Sequence, residues 1–364
     1  MPQTDGADVR ALAATLRAAF EAAGAVPVDC AILQPAGTLL DLYGEDIRAR
    51  AYVTQDPDLG EQMLRPDFTV PVVQRHMQTG ADPARYTYAG EVFRRQEDHR
   101  DRPREYFQVG YEVFDGSDPA AADAEVFARI AGLLAPLGLR AITGDIGVLR
   151  AAVGGLETSQ ARRAALMRHI WRPRRFRALL DRYAGRSAVP PSRAALLAAD
   201  DPFAQAGPMI GLRGGAEIAA RIATLRADAA TPALSPDQVA LLDTVLAVRE
   251  TCPFAVTRLR DIAVDLPTIG AAVDQLDRRC DALAAQGINV DQLAFEASYG
   301  RASMEYYDGF VFGLLADARP DLPPIATGGR YDALTRHLGQ GAEIPAVGGV
   351  IRPGLVAALG GLGA

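Results

Sequence analysis

A chain of 364 residues with 49% hydrophobic and 23% charged side chains has the composition of a folded protein of two to three domains at about 150 residues each, which excludes a disordered chain. All 38 basic residues are arginine, so a Walker-type phosphate loop, a Schiff-base lysine and a lysine nucleophile are ruled out. A formal net charge of −7 argues against extensive nucleic-acid contact, and with no apolar run of about 18 residues and no basic-then-apolar leader, no membrane is implied and a cytoplasmic location is expected.

Helical spacing of Val9, Leu12, Leu16, Ala19 and Phe20 predicts an amphipathic helix over Asp8–Gly24. Short apolar runs broken by Pro35, Gly37 and Gly44 predict loops and short strands from Cys30 to Val53, and a second helix follows at Thr69–Gln78. Tyr86–Phe93 and Glu105–Phe114 have strand character and are joined by a loop rich in arginine (Arg94, Arg95, Arg100, Arg102, Arg104), which predicts an antiparallel pair. Ser117–Leu134 opens with a serine or aspartate cap and a proline, a strong helix start.

Alanine- and arginine-rich helical runs separated by Pro and Gly fill residues 155–249 and read as a helical insertion. Its basic run, Arg162–Arg177, is expected to be a solvated helix face rather than an RNA-binding patch. Strands are predicted at Phe254–Leu259, Tyr306–Leu314 and Ala346–Ile351, helices at Ile269–Ala285 and Ala333–Leu338 and at the end of the chain, and a glycine-rich turn at ATGGRYD. Strands in an early and a late block favour an α+β fold with an antiparallel sheet. The expected division is a core over 1–150 and 254–364 interrupted by the insertion at 151–253. Cys30, Cys252 and Cys280 make no C-x-x-C pair and read as buried thiols, with neither a disulfide nor a metal site expected.

In Glu105–Phe114, period-two alternation places Tyr106, Gln108, Gly110 and Glu112 on one face and Phe107, Val109, Tyr111 and Val113 on the other. Gln, a side-chain-free Gly and Glu in succession make a shallow polar trough whose acceptors suit a small cationic or amine-bearing ligand; a solvated sheet face is the other reading.

MLRPDFT (63–69), YAGEVFRRQ (88–96), REYFQVGYEVFDG (104–116), DAE (123–125), YYDGFVF (306–312) and GGRYDAL (328–334) together resemble the histidyl-tRNA synthetase lineage of class II aminoacyl-tRNA synthetases in order and spacing. The resemblance implies a six-stranded antiparallel β-sheet flanked by helices, dimeric through the segment holding Pro35, with a histidine pocket on the sheet. It places Asp67, Thr69, Gln108, Glu112, Tyr307 and Tyr331 in that pocket, Arg94 at the motif-2 arginine that meets carboxylate and α-phosphate, and Arg104 on the motif-2 loop.

The departures bear on activity. The lineage's R-G-L-D-Y-Y arginine falls on Ala302, with Arg301 one residue away, and a one-residue slip in an extended segment turns a side chain to the opposite face. Gly354-Leu355 replaces the motif-3 Glu-Arg, Arg352 precedes Pro353, Gln96 stands for a motif-2 glutamate and Asp67 for a pocket glutamate. Loss of one such arginine costs on the order of 10³ to 10⁵ in rate, so no catalytic residue and no cofactor are expected. The chain stops at Ala364, and no anticodon-binding domain and no tRNA partner are expected. The combination resembles the regulatory subunits of ATP phosphoribosyltransferase, which implies a non-catalytic partner of a short catalytic subunit, in a hetero-octamer, that activates it and takes part in feedback inhibition by L-histidine. The alternative from the same motifs is a truncated, amino-acid-activating enzyme; a pure RNA-binding module is the third.

Overall fold

The structure, a computed structural model, describes residues 6–43, 47–95, 102–204, 206–208, 210–301 and 306–362. Twelve strands occur among them: β1 (Val26–Pro27), β2 (Leu33–Pro35), β3 (Val53–Asp56), β4 (Gly60–Leu64), β5 (Ala84–Phe93), β6 (Glu105–Phe114), β7 (Arg140–Asp145), β8 (Arg249–Thr251), β9 (Ala294–Glu296), β10 (Phe310–Leu315), β11 (Ala326–Arg330) and β12 (Ala346–Ile351). Nine of them form one sheet in the order β1-β5-β6-β12-β11-β10-β7-β9-β8, and β2-β4-β3 form a small one. From β5 through β7 every neighbouring pair in that order is antiparallel. This is the six-stranded core that the motifs imply, extended by β1 parallel to β5 and β9 parallel to β7.

One face of the sheet is sealed by helices. Helix Pro119–Leu133 starts where expected because the Asp118 side chain accepts from the backbone N–H groups of Ala120 and Ala121, at 3.1 and 3.0 Å, and Pro119 occupies the first turn. Its Phe127 packs edge-on to Phe312 at 5.3 Å between ring centroids. Helix Gly6–Ala22 buries Leu16 and Phe20, and Phe20 stacks on Tyr111 of β6 at 5.0 Å.

Two elements differ from the sequence expectation in kind. Residues 254–259 belong to a helix, Cys252–Asp265, and not to a strand: Cys252, Ala255, Val256, Leu259 and Ile262 are buried at helical spacing and Pro253 sits in the first turn. ATGGRYD is not a turn but holds β11, whose Gly328 and Gly329 leave room for the rings of Phe312 and Tyr307. The strand expected from Tyr306 starts only at Phe310. Strand β7 had no expectation at all, although it pairs with β10 along its whole length.

Between Gln160 and Leu246 the described residues form five helices. Arg162, in the basic run, is buried and is not on a solvated face. It donates to the Asp228 carboxylate at 2.7 Å and to the carbonyls of Asp228, at 2.7 Å, and Pro232, at 2.8 Å. Arg177 pairs with Asp243. These two guanidiniums tie helices together, Arg162 from within the core and Arg177 from the surface. Cys252 and Cys280 are buried and Cys30 half-buried; far apart in sequence, the first two lie in hydrogen-bond contact because helix packing brings them together. No helix among the described residues is long and apolar enough to cross a membrane.

Candidate functional site

The sheet face away from helix Pro119–Leu133 has a floor of backbone. Gly90, Gly110, Gly348, Gly329 and Gly313 lie on five neighbouring strands, and cross-strand partners share a face. A Cβ at Gly110 would fall 2.0 Å from the Tyr88 ring, at Gly329 2.7 Å from the Tyr307 ring, at Gly313 1.9 Å from the Tyr299 hydroxyl, and at Gly348 1.3 Å from Glu112 Oε2. The floor is thus glycine because polar-tipped side chains lie flat on it.

Glu112, only 1% exposed, is the centre. Its Oε1 accepts from the hydroxyls of Tyr88 at 2.9 Å and Thr69 at 3.1 Å, and its Oε2 from that of Tyr331 at 2.6 Å. The Tyr306 hydroxyl donates to Thr69 Oγ1 at 3.3 Å, which extends the chain outward. Burial pushes the Glu112 carboxyl up to about 7; the three hydroxyls pull it down, and the charge of Asp67 adds to the rise. Asp67 and Gln108 are themselves buried, and Gln108 Oε1 accepts no hydrogen bond. Tyr307 is buried beside Tyr306 at 4.9 Å, and burial raises its hydroxyl well above the usual phenol range.

The sequence expectation of an exposed trough is therefore corrected. Tyr106, Gln108, Gly110 and Glu112 do share a face, but it is roofed by Tyr88, Tyr307 and Tyr331. The structure brings Thr69, Glu112 and Tyr331 into direct contact and places Asp67, Gln108 and Tyr307 in the same buried layer. Arg94 stands at the margin, where its Nε donates to the Pro66 carbonyl at 2.7 Å and its backbone N–H to the Arg104 carbonyl at 2.8 Å; the Arg104 side chain is exposed. Arg301 is turned to the helical segment, donating Nε to the Ile170 carbonyl at 2.9 Å with its guanidinium 4.8 Å from the Phe176 ring centre. Gln96, Arg100, Ala302 and Glu305 lie outside the described residues.

Two site residues escaped the sequence reading. Tyr88 was legible only as part of a motif; its place opposite Gly110 in the β5–β6 register was the available signal. Tyr306, next to Tyr307, reaches Thr69 because the segment before β10 is not extended. The described residues hold no group of three or more His, Cys, Asp or Glu side chains arranged for a metal ion.

A family model described as histidyl-tRNA synthetase matches residues 3–203 and 218–353. Curated relatives from Brucella ovis and Brucella abortus, each named ATP phosphoribosyltransferase regulatory subunit, are 33% identical over 355 residues, covering 92% of this chain and 93% and 92% of theirs. The chain belongs to the ATP phosphoribosyltransferase regulatory-subunit family, on the histidyl-tRNA synthetase fold. Solved structures agree on the fold. A chain from Bacillus halodurans titled ATP phosphoribosyltransferase regulatory subunit/histidyl-tRNA synthetase superposes with a TM-score of 0.68 at 18% identity, covering 98% of this chain and 79% of that one. A histidine–tRNA ligase subunit from Alicyclobacillus acidocaldarius gives 0.61 at 23%, covering 99% and 94%.

In this family member the raised Glu112 carboxyl has a consequence for stability. A folded-state value above the ordinary 4.5 means that the folded state binds more protons than the unfolded one between about pH 4.5 and pH 7. The stabilisation from protonated Glu112 is then fully present below pH 4.5 and lost as pH rises through about 7. The free energy of unfolding is expected to fall by on the order of 1–3 kcal/mol between pH 5 and pH 8, and Glu112→Gln is expected to flatten that decline in urea titrations across the range.

Proposed function

We propose that this chain is a non-catalytic regulatory subunit that assembles with a short-form ATP phosphoribosyltransferase catalytic chain, activates it in the first step of histidine biosynthesis, and carries part of its response to L-histidine. The name of the Brucella relatives supports the partner, and the pocket supports the ligand. The observation that carries the reading is the buried Glu112 carboxylate, held by three hydroxyls, beside the buried Asp67 and the open acceptor of Gln108. Two acids and an amide oxygen suit an ammonium or an imidazolium, whereas a neutral apolar ligand would leave the Gln108 oxygen without a donor at a cost of about 1–3 kcal/mol.

A ligand there acts by linkage. Preferring one state of the assembly, it shifts the catalytic chain by a coupling energy of about 1–3 kcal/mol, and the catalytic chain changes ligand affinity by the same factor. Arg301, engaged with Ile170 and Phe176, supports the non-catalytic assignment, because the guanidinium nearest in sequence to the synthetase position is used to hold helices. Ile32 and Leu33, exposed apolar side chains at the start of β2, support self-association through the Pro35 segment.

Reconstitution with a short catalytic chain tests the proposal. The expected result is a stable complex, a higher turnover of the catalytic chain, and inhibition by L-histidine that weakens in Glu112→Gln. Absence of a complex, or pyrophosphate exchange into ATP driven by histidine and this chain alone, would replace the regulatory reading with an amino-acid-activating one.

A further inference from the structure

From Asp308 onward, the segment that leads into β10 is fixed to the body of the core. The Asp308 N–H donates to the Arg330 carbonyl at 3.0 Å, the Asp308 carboxylate accepts from the N–H groups of Asp332 and Ala333 at 3.1 and 2.7 Å, and the Gly309 carbonyl accepts from the Ile146 N–H at 2.8 Å. Upstream of Asp308 the contacts change. Tyr306 reaches into the pocket through Thr69, and its ring lies edge-on to those of Tyr307, at 4.9 Å, and Tyr331, at 6.0 Å between centroids. The same stretch meets the helical insertion. Trp171 Nε1 donates to the Tyr307 carbonyl at 3.1 Å, and Arg301 Nε donates to the Ile170 carbonyl at 2.9 Å. Two neighbouring residues of the insertion thus hold the pocket roof at residues 301 and 307.

Trp171 is the only tryptophan of the chain. A half-buried indole N–H is costly to leave without an acceptor, and here the acceptor is main chain of the pocket roof rather than a neighbour inside the insertion. Trp171 stands in the turn between helices Gln160–Arg168 and Pro173–Tyr183. Neither helix is free to ignore that turn. The first is clamped by Arg162 to residues 228 and 232, and the second buries Phe176 beside the Arg301 guanidinium and is tied by Arg177 to Asp243 of helix Pro236–Leu246. Close-packed side chains transmit a displacement rather than absorb it, so a shift of the turn is passed to both helices.

We propose that Trp171 is a positioning residue through which the helical insertion reads the occupancy of the pocket. A ligand that resets Tyr306 and Tyr307 draws the Tyr307 carbonyl, and with it the Trp171 turn and the helices on either side, into a second arrangement. The inference rests on the function proposed above, because the ligand it invokes is L-histidine. It gives the insertion a task, to carry the state of a buried site to an outer surface, and by linkage the insertion's own state changes ligand affinity in return.

The test follows L-histidine binding to the full chain by calorimetry, and the insertion by the fluorescence of Trp171 and by amide exchange over residues 160–183. In the unmodified chain the emission changes with the midpoint that calorimetry gives, and exchange over 160–183 shifts at least about fivefold at saturation, the equivalent of one net hydrogen bond. Trp171→Phe keeps an aromatic ring and removes the N–H. It binds histidine within about tenfold of the parent, while the exchange response over 160–183 falls below about twofold. Should Trp171→Phe fail to fold, Arg301→Gln, which releases Ile170 and keeps the fluorophore, decides by the same readouts. Histidine binding with unchanged emission and exchange overturns the proposal and leaves the histidine pocket standing. No binding by calorimetry overturns it together with the histidine part of the proposed function. A response undiminished in the folded variants overturns it, as does a loss of histidine affinity beyond about tenfold in Trp171→Phe, which would make Trp171 a support of the pocket alone.

Discussion

Replacing Asp123 with alanine is expected to cost about 3–5 kcal/mol of folding free energy, a large share of the roughly 5–15 kcal/mol available to a folded domain. Asp123 is completely buried. Its Oδ1 accepts from Arg330 Nε and Nη2 at 3.0 and 2.7 Å, and its Oδ2 from Arg279 Nε at 2.7 Å. Arg279 continues to Asp145 at 2.8 Å and lies 4.6 Å from the ring centre of Phe310. Truncation would leave two interior guanidiniums sharing the remaining acceptors, Asp145 and Asp332. The network joins helices Pro119–Leu133 and Gly270–Ala285 to strands β7 and β11, so the loss is global and should appear as a lowered urea midpoint with an unchanged slope. Alanine at Asp321, whose pair with Arg319 is exposed, should leave the midpoint where it is. A midpoint for Asp123→Ala close to that of the parent would show that the ion network contributes little.

The second large effect is expected in the pocket. Glu112→Gln keeps the shape of the side chain and an oxygen for Tyr88, Thr69 or Tyr331, so the fold should survive, while a cationic ligand loses its counter-charge. Removing one member of a buried charged pair costs about 2–5 kcal/mol, so affinity for L-histidine should fall at least about 30-fold. Gly348→Ala reaches the same group from below. The added methyl would meet Glu112 Oε2 at 1.3 Å, so the carboxylate must leave its place between Tyr331 and Tyr88. Loss of both stability and histidine response is expected there, against loss of response alone in Glu112→Gln. Thermal unfolding and inhibition curves measured on both variants separate the two.

Motif order carried the fold because each motif retains side chains that touch in the folded state, as Thr69, Glu112 and Tyr331 do. The start of helix Pro119–Leu133 was legible for a local reason: Asp118 and Pro119 act within three residues of themselves. What stayed hidden depends on tertiary context. The glycines of β11 look like a turn until Phe312 and Tyr307 are seen occupying the space beside them. Residues 252–259 are apolar enough for either element, and only the burial of Ile262 further along settles the helical period. The closed roof over Glu112 was hidden as well, because Tyr88 and Tyr331 come from segments more than 240 residues apart. For Arg352, the proline that follows suggests the end of a strand, and its donation from Nη2 to Thr327 Oγ1 at 3.1 Å requires the β11–β12 pairing to be known.

The glycine floor also decides where mechanical response can arise. The glycine positions of these adjacent antiparallel strands offer a ligand only main chain, which their hydrogen bonds lock in place. Accommodation must come from above, through the segments bearing Asp67 and Thr69 on one side and Tyr306 and Tyr307 on the other. Amide exchange recorded with and without ligand should accordingly change in those covering segments, while the strands beneath keep one slow, common rate.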